Sequence, residues 1–418
     1  MNENGAADRL RRHVVEPLKR RFVGRDEVID LTALAVVAGE HLFLLGPPGT
    51  AKSALVREFA TAVRGRYFEY LLTRFSEPNE VFGPIDLVRL REGTVATVTT
   101  GMLPEAEFVF LDELFNANSA ILNNLLTVLN ERVYRRGAET HRLPLVSLFA
   151  ASNHLPEDEA LQALFDRFLV RCKVEPLPRA ALPSLLAAGW ALEGGVNGFP
   201  SPPGPLSHKG RGGEDSRGGF PPPSPLMGEG GRGGEGKPDK PDNAPSAADL
   251  RDLAARCRAV DLGGVAAAYA DAVTKVRDLG VALTDRRAVK VLKLVAASAV
   301  LCGRAAVDAS DLWVLRYVWD REEQIAPLTA LVAGLLEQAP AAAAHPLAAR
   351  PERADGDALA RQLDDLDKAL AGGPLTLVEL ARLRDQVAGV SDRAAWVADA
   401  AGRDHLLARA GELLERIG

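Results

Sequence analysis

Up to about residue 193, short apolar runs alternate with stretches of helical period, and this pattern predicts an α/β fold with a parallel sheet flanked by helices. "HLFLLG" (41–46) reads as a buried strand, and "SALVREFATAVRG" (53–65) as the helix that follows it. "FVFLDE" (108–113) and "LVSLFAASN" (145–153) read as two further central strands, each ending in polar residues, where open α/β sheets place their ligands. From Gly194 to Pro245 glycine and proline dominate and no period survives, so this stretch reads as a disordered insertion or linker. It contains a near-duplication, "GFPSPPGPLSHKGRGGE" (198–214) echoed by "GFPPPSPLMGEGGRGGE" (219–235).

Beyond the insertion the pattern is helical. "RRAVKVLKLVAASAVLCG" (286–303) is stopped by Gly303, and "DASDLWVLRYVWDREEQ" (308–324) opens on a helix cap. After Pro340, "DGDALARQLDDLDKAL" and "TLVELARLRDQVAGV" carry apolar residues on one face and charges on the other, which predicts a small helical hairpin or bundle packed on the preceding helices. The expected organisation is an α/β core (1–193), the insertion (194–247), an α-helical lid (248–335) and a C-terminal helical region (336–418).

Composition narrows the function. The 418 residues, 47% hydrophobic and 25% charged, suffice for two or three domains with their own cores, and the net charge of −6 gives no field that would gather nucleic acid or anionic membrane. Cys172, Cys257 and Cys302 are odd in number and without metal-ligand spacing, so they read as buried or free thiols in a reducing compartment. No stretch stays apolar long enough to span a bilayer and the N-terminus has no signal-peptide core, which makes the cytoplasm the expected location.

The candidate chemistry lies in "GPPGTAKS", Gly46, Pro47, Pro48, Gly49, Thr50, Ala51, Lys52 and Ser53, between a strand and a helix. This is the context in which the phosphate-loop pattern binds a nucleoside triphosphate: glycines make the turn, and backbone N–H groups and the helix N-terminus face the β-phosphate. Lys52 would reach the β- and γ-phosphates and Ser53 would hold Mg²⁺. The general pattern wants glycine where Ala51 stands; alanine is compatible if that position is helical. In "FVFLDE", Asp112 would hold the Mg²⁺ water shell and Glu113 would polarise the attacking water as general base. A solvated Asp-Glu turn is the usual fate of such a pair, but an upstream phosphate loop favours catalysis.

The order of blocks resembles the AAA+ ATPases, within them the MoxR group and most closely its RavA-type branch. The resemblance rests on "EHLFLLGPPGTAKS", "FEYLLTRFSEPNEVFGPIDL", "LPEAEFVFLDELFNANSAILNNLLTVLNER", "AASNHLPEDEALQALFDRF" and "LTDRRAVKVLKLVAASAVLCGRAAV". It implies an ATPase using ATP and Mg²⁺, with Asn153 as sensor 1, Arg167 as an arginine finger reaching a neighbouring subunit's γ-phosphate, and Arg286, or Arg287 beside it, as sensor 2. Val23 and Gly24 in "VGRDE" match the adenine side. Plain alternatives stand beside each: a strand-end Asn, a helix Arg paired to Asp166, with Arg171 as the next finger candidate.

A finger acting in trans implies a ring, hexameric in the family, and the resemblance implies a partner with a von Willebrand factor A domain. "LVRLREGTVATV" (87–98), read as a hairpin turning at Glu92-Gly93, and "VYRRGAETHRLP" (133–144), turning near Gly137, match segments that project toward the pore, with Arg135 and Arg136 as contacts. The implied function is chaperone-like remodelling of a partner protein. The alternatives are an ATP-gated scaffold doing no mechanical work, and a DNA motor, for which only the basic stretch "RRHVVEPLKRRF" (11–22) speaks.

Overall fold

A computed structural model describes residues 5–136, 139–156, 158–177, 244–337, 344–348, 356–371 and 400–417, with isolated positions in 182–186 and 380–394. The insertion expected at 194–247 lies almost wholly outside the described residues, as do Gly137 and most of "TLVELARLRDQVAGV".

The core is a five-stranded parallel sheet. Its strands are β1 (Leu42–Leu45), β2 (Tyr67–Leu71), β3 (Phe108–Asp112), β6 (Ser147–Ser152) and β7 (Val170–Lys173), in the order β2-β3-β6-β1-β7. All residues of β1 and β6 are buried, which explains why these strands read as continuous apolar runs rather than alternations. Register places Leu45 beside Ser152 on one side and Lys173 on the other, and Leu111 beside Ala150. The C-terminal ends of β1, β6 and β3 therefore lie side by side.

Helices α1 (Gly5–Leu10) and α2 (Glu16–Arg21), joined by a π-helical turn at Arg11–Val15, lead into α3 (Asp26–Ala38). Part of the basic stretch is tied to the core: Lys19 pairs with Asp30 at 2.8 Å and Arg21 with Glu58 at 2.5 Å, while Val14 and Leu18 are buried; Arg11, Arg12 and Arg20 are exposed. Helix α3 is buried from Val28 to Ala38 because lid helices cover the face that the core leaves open. Helix α4 (Lys52–Ala62) follows the phosphate loop, and α5 (Pro78–Phe82), α6 (Leu87–Arg91), α7 (Ser119–Glu131) and α8 (Glu159–Phe165) complete the core.

The lid comprises α9 (Ala247–Cys257), α10 (Ala266–Asp278), α11 (Asp285–Leu301) and α12 (Ile325–Leu336). The stretch expected as one helix over 308–324 is a 3-10 helix, Ala309–Tyr317, then a break and a 3-10 turn, Glu322–Gln324. Its cap is as expected, with Asp308 and Asp311 in a reciprocal capping box, but buried Asp311 also accepts hydrogen bonds from Ser298 and Arg304, both at 2.6 Å. Helices α13 (Gly356–Ala371) and α14 (Ala400–Ile417) pair through their own apolar cluster, including Leu363, Leu406 and Ala410, separate from the main core.

The segment 87–98 departs from the hairpin reading. Asp86 accepts the N–H groups of Val88 and Arg89 and so caps a helical turn, α6, where alternation implied a strand. The turn at Gly93, φ 80°, is present, and Ile85 bridges Thr97. The second hairpin forms as read: β4 (Val133–Arg136) pairs antiparallel with β5 (Glu139–Arg142).

Candidate nucleotide site

The phosphate loop is anchored at its start and strained at its end. Gly46 donates its N–H to Ser152 O at 2.9 Å, and a Cβ on Gly46 would stand 2.2 Å from Val174 O, so only glycine fits. Ala51, by contrast, is not helical: φ 61° and ψ 22° put it in the left-handed region, at the N-cap of α4. An alanine there costs about 1–2 kcal/mol relative to right-handed backbone. The methyl group is thus tolerated under strain rather than accommodated by a helix. Gly49, φ 79°, has open space where its Cβ would stand.

Two features of this loop fit an anion. Among the described residues, the N–H groups of Gly49, Thr50, Ala51, Lys52 and Ser53 have no acceptor in the chain, and all five precede or open α4. Lys52 Nζ lies over them, donating to Gly46 O at 2.9 Å, Pro47 O at 2.8 Å and Thr50 Oγ1 at 3.3 Å. Burial lowers the ammonium's pKa, and the charges of Asp112 and Glu113 oppose that shift. The two carboxylates are therefore electrically coupled to the lysine, with Asp112 half-buried and accepting the Glu113 N–H at 3.1 Å. Glu113 is the second non-glycine residue of the site in the left-handed region, φ 52° and ψ 48°, which turns the chain sharply out of β3.

The other predicted residues are dispersed. Asn153 is exposed and directly follows Ser152, the residue that accepts the Gly46 N–H, so it stands next to the loop's first turn. Gly24 lines a cavity of about 490 Å³ between core and lid, together with Val28, Val174, Leu177, Tyr317 and Thr329. Val23 is half-buried and is not among the lining residues. Arg167 follows the end of α8 and is half-buried; its Nε has no partner, and Asp166, its expected pair, lies 3.6 Å from Arg171 instead.

The two neighbouring arginine alternatives differ in burial. Arg171 is fully buried and bonded to Asp320, so it cannot reach another subunit. Arg287 is buried against the same Asp320 at 2.6 Å, whereas Arg286 is exposed at the start of α11. Arg136 donates to Gly83 O and Asn79 Oδ1, both at 2.9 Å, and so braces its hairpin against α5; Arg135 is exposed and pairs with Glu131 at 2.6 Å. Sequence reasoning passed over Arg25, which lines the same cavity as Gly24, donates to Glu175 O at 2.8 Å and acts electrostatically on Lys52. Its place inside "VGRDE" was the available signal.

A five-stranded parallel sheet with a phosphate loop after β1, acidic residues after β3 and a helical lid defines a P-loop ATPase of the AAA+ class. The comparisons narrow this. A family model described as the MoxR domain of MoxR-vWA-beta-propeller ternary systems matches residues 8–198, and one described as an AAA lid domain matches residues 270–332. The uncharacterized protein MJ0079 of Methanocaldococcus jannaschii is 33% identical over 313 residues, covering 74% of this chain and 70% of that protein. Chaperone MoxR1 of Mycobacterium tuberculosis is 29% identical over 170 residues, 40% of this chain and 44% of the relative. A crystal structure from Cytophaga hutchinsonii, titled "a putative ATPase", shares the fold with a TM-score of 0.57 at 15% identity, over 80% of this chain and 94% of that one. The chain belongs to the MoxR family of AAA+ ATPases.

Among the described residues no helix is long and apolar enough to cross a membrane.

Proposed function

We propose that this chain is a ring-forming ATPase, of the RavA-type branch and hexameric, that hydrolyses ATP to ADP and phosphate and remodels a partner protein in the cytoplasm. The observation that carries the reading is the meeting of Lys52, five unpartnered loop N–H groups, Asp112 and Glu113 at the ends of β1 and β3, the two strands that flank β6. In it, residues 1–193 work as the ATPase core, 248–335 as the lid and 336–418 as an added helical region, the stretch 194–247 being a connector.

The loop from Gly46 to Ser53 holds the phosphates, with the base on the side of Val23 and Gly24. Ser53 and Asp112 would hold Mg²⁺, which would supply charge to offset that of the phosphates. Glu113 takes the proton of the attacking water, Asn153 orients that water, and Arg286 contacts the phosphates from the lid. Arg167 completes the site of the next subunit, stabilising charge that develops only in the transition state. Segments 87–98 and 133–144 face the pore, with Arg135, exposed beside Glu131, placed to touch what passes. Because the matching family is described together with vWA proteins, the partner taken here is a protein with a von Willebrand factor A domain.

The test is a pull-down with Glu113→Gln in ATP, set against the same variant in ADP and paired with wild-type phosphate release. Capture of a vWA-domain protein only in ATP is the expected result. Turnover without nucleotide-dependent capture would sink the remodelling reading, and absence of turnover would sink the enzyme.

A further inference from the structure

The structure assigns to Arg171 a part that the proposed reaction does not yet include: it is a positioning residue that ties the finger-bearing turn of the core to the lid arginines of the same subunit. This inference rests on the trans-finger reading given above.

Arg171 lies on β7 and is fully buried, an expensive place for a guanidinium. Its planar fork is used in every direction. Nε donates to Phe168 O at 3.0 Å and Nη2 to Phe165 O at 3.0 Å, so it grips the backbone on both sides of Arg167. Its Cζ also lies 3.7 Å over the Phe165 ring. On the opposite side, Nη1 donates to Trp319 O at 2.5 Å and to the Asp320 carboxylate, both in the lid.

Asp320 passes the connection on. The same Oδ1 accepts from Arg287 Nη1 at 2.6 Å, and Oδ2 accepts the Ala282 N–H at 2.6 Å, while Arg287 Nη2 donates to Val318 O at 2.6 Å. Arg287 adjoins Arg286 in the first turn of α11. Burial alone would raise the Asp320 pKa, but Arg287 and Arg171 hold it below the usual carboxylate range, so the carboxylate stays charged between them. The turn holding Arg167 and the turn holding Arg286 are thus joined by three side chains, Arg171, Asp320 and Arg287. A lid that shifts with its own nucleotide draws on the same strap that sets where Arg167 is presented to the neighbour. The strap couples two composite sites through one subunit.

The decisive measurement is a kinetic double-mutant cycle on the full chain with Arg167→Ala and Arg171→Met, reading kcat and, separately, affinity for a fluorescent ATP analogue. Methionine keeps the volume and leaves Asp320 its Arg287 partner. If Arg171 acts through Arg167, Arg171→Met lowers kcat by about tenfold or more with affinity within about twofold, and the double variant is no slower than Arg167→Ala alone. Independent losses that multiply overturn the inference, because a general packing defect would add to loss of the finger. Should Arg171→Met not fold by circular dichroism, Asp320→Asn carries the same cycle; if neither folds, the strap is a core requirement and the inference falls. Normal turnover by Arg167→Ala would instead remove the trans-finger reading beneath it.

Discussion

Ala51, at the mouth of α4, and Glu113, just past β3, share the left-handed backbone, with φ of 61° and 52°. Among the described residues only Arg64 and Arg132 also do so without being glycine, so two of these four strained positions fall in the candidate nucleotide site. Backbone strain held at a site shapes it before the ligand arrives.

Replacing Ala51 by glycine should relieve that strain. The gain of about 1–2 kcal/mol is partly offset by the greater freedom of glycine in the unfolded chain, leaving roughly 0.5–1 kcal/mol of added stability. Urea denaturation would read it directly, and a loss of stability would show that the alanine is at ease. Ala51→Val should behave oppositely, since a β-branched side chain resists φ > 0.

Lys52→Ala should leave the fold intact and weaken ATP binding by roughly tenfold to a hundredfold or more, since a charge-assisted hydrogen bond contributes about 1.5–3 kcal/mol. Isothermal titration calorimetry decides this. Affinity near wild type would mean that the five loop N–H groups hold the phosphates unaided.

Mixed rings examine Arg167 and Glu113 together. Arg167→Ala and Glu113→Gln should each bind ATP, and each should turn over slowly, the first by about a thousandfold or more. A mixture contains composite sites with both groups intact and should regain part of the activity. An inactive mixture whose mixed rings are visible by native mass spectrometry would remove the finger assignment.

His41 makes stability depend on pH. It is buried, its Nδ1 accepting the Leu148 N–H at 3.1 Å, and burial pushes its pKa down to about 4. An unfolded histidine titrates near about 6.5. The unfolded chain therefore takes up the proton first as pH falls, so this residue lowers stability progressively from about pH 6.5 down to about pH 4 and has no effect above. At pH 5 the loss is about 2 kcal/mol. Urea midpoints at pH 7 and pH 5 should differ by more in the wild type than in His41→Gln; equal differences would refute the assignment.

What the sequence disclosed follows from what periodicity and composition encode. The strands at 42–45, 108–112 and 147–152 were legible because fully buried parallel strands are written as apolar runs. The start of α4 was legible because the loop pattern fixes it. Backbone angle was not: nothing in the residues around Ala51 reveals the sign of its φ. Segment 87–91 alternates like a strand, yet the carboxylate of Asp86 supplied a cap that closes a helical turn. The pairing of Arg171, the next finger candidate after Arg167, was not legible because its partner, Asp320, stands 149 positions away, a separation that no local window spans.

The lid is held to the core by contacts that bypass the chain between them. Arg171 reaches Asp320, Lys293 reaches Glu40 at 2.6 Å, Tyr317 reaches Glu27 at 2.6 Å, and Arg251 reaches Glu107 at 2.7 Å. The covalent thread from 178 to 243 is therefore not the tether that keeps the two together. These four joints would therefore outlast a single break in the backbone between core and lid, leaving a nicked molecule whose pieces stay clasped.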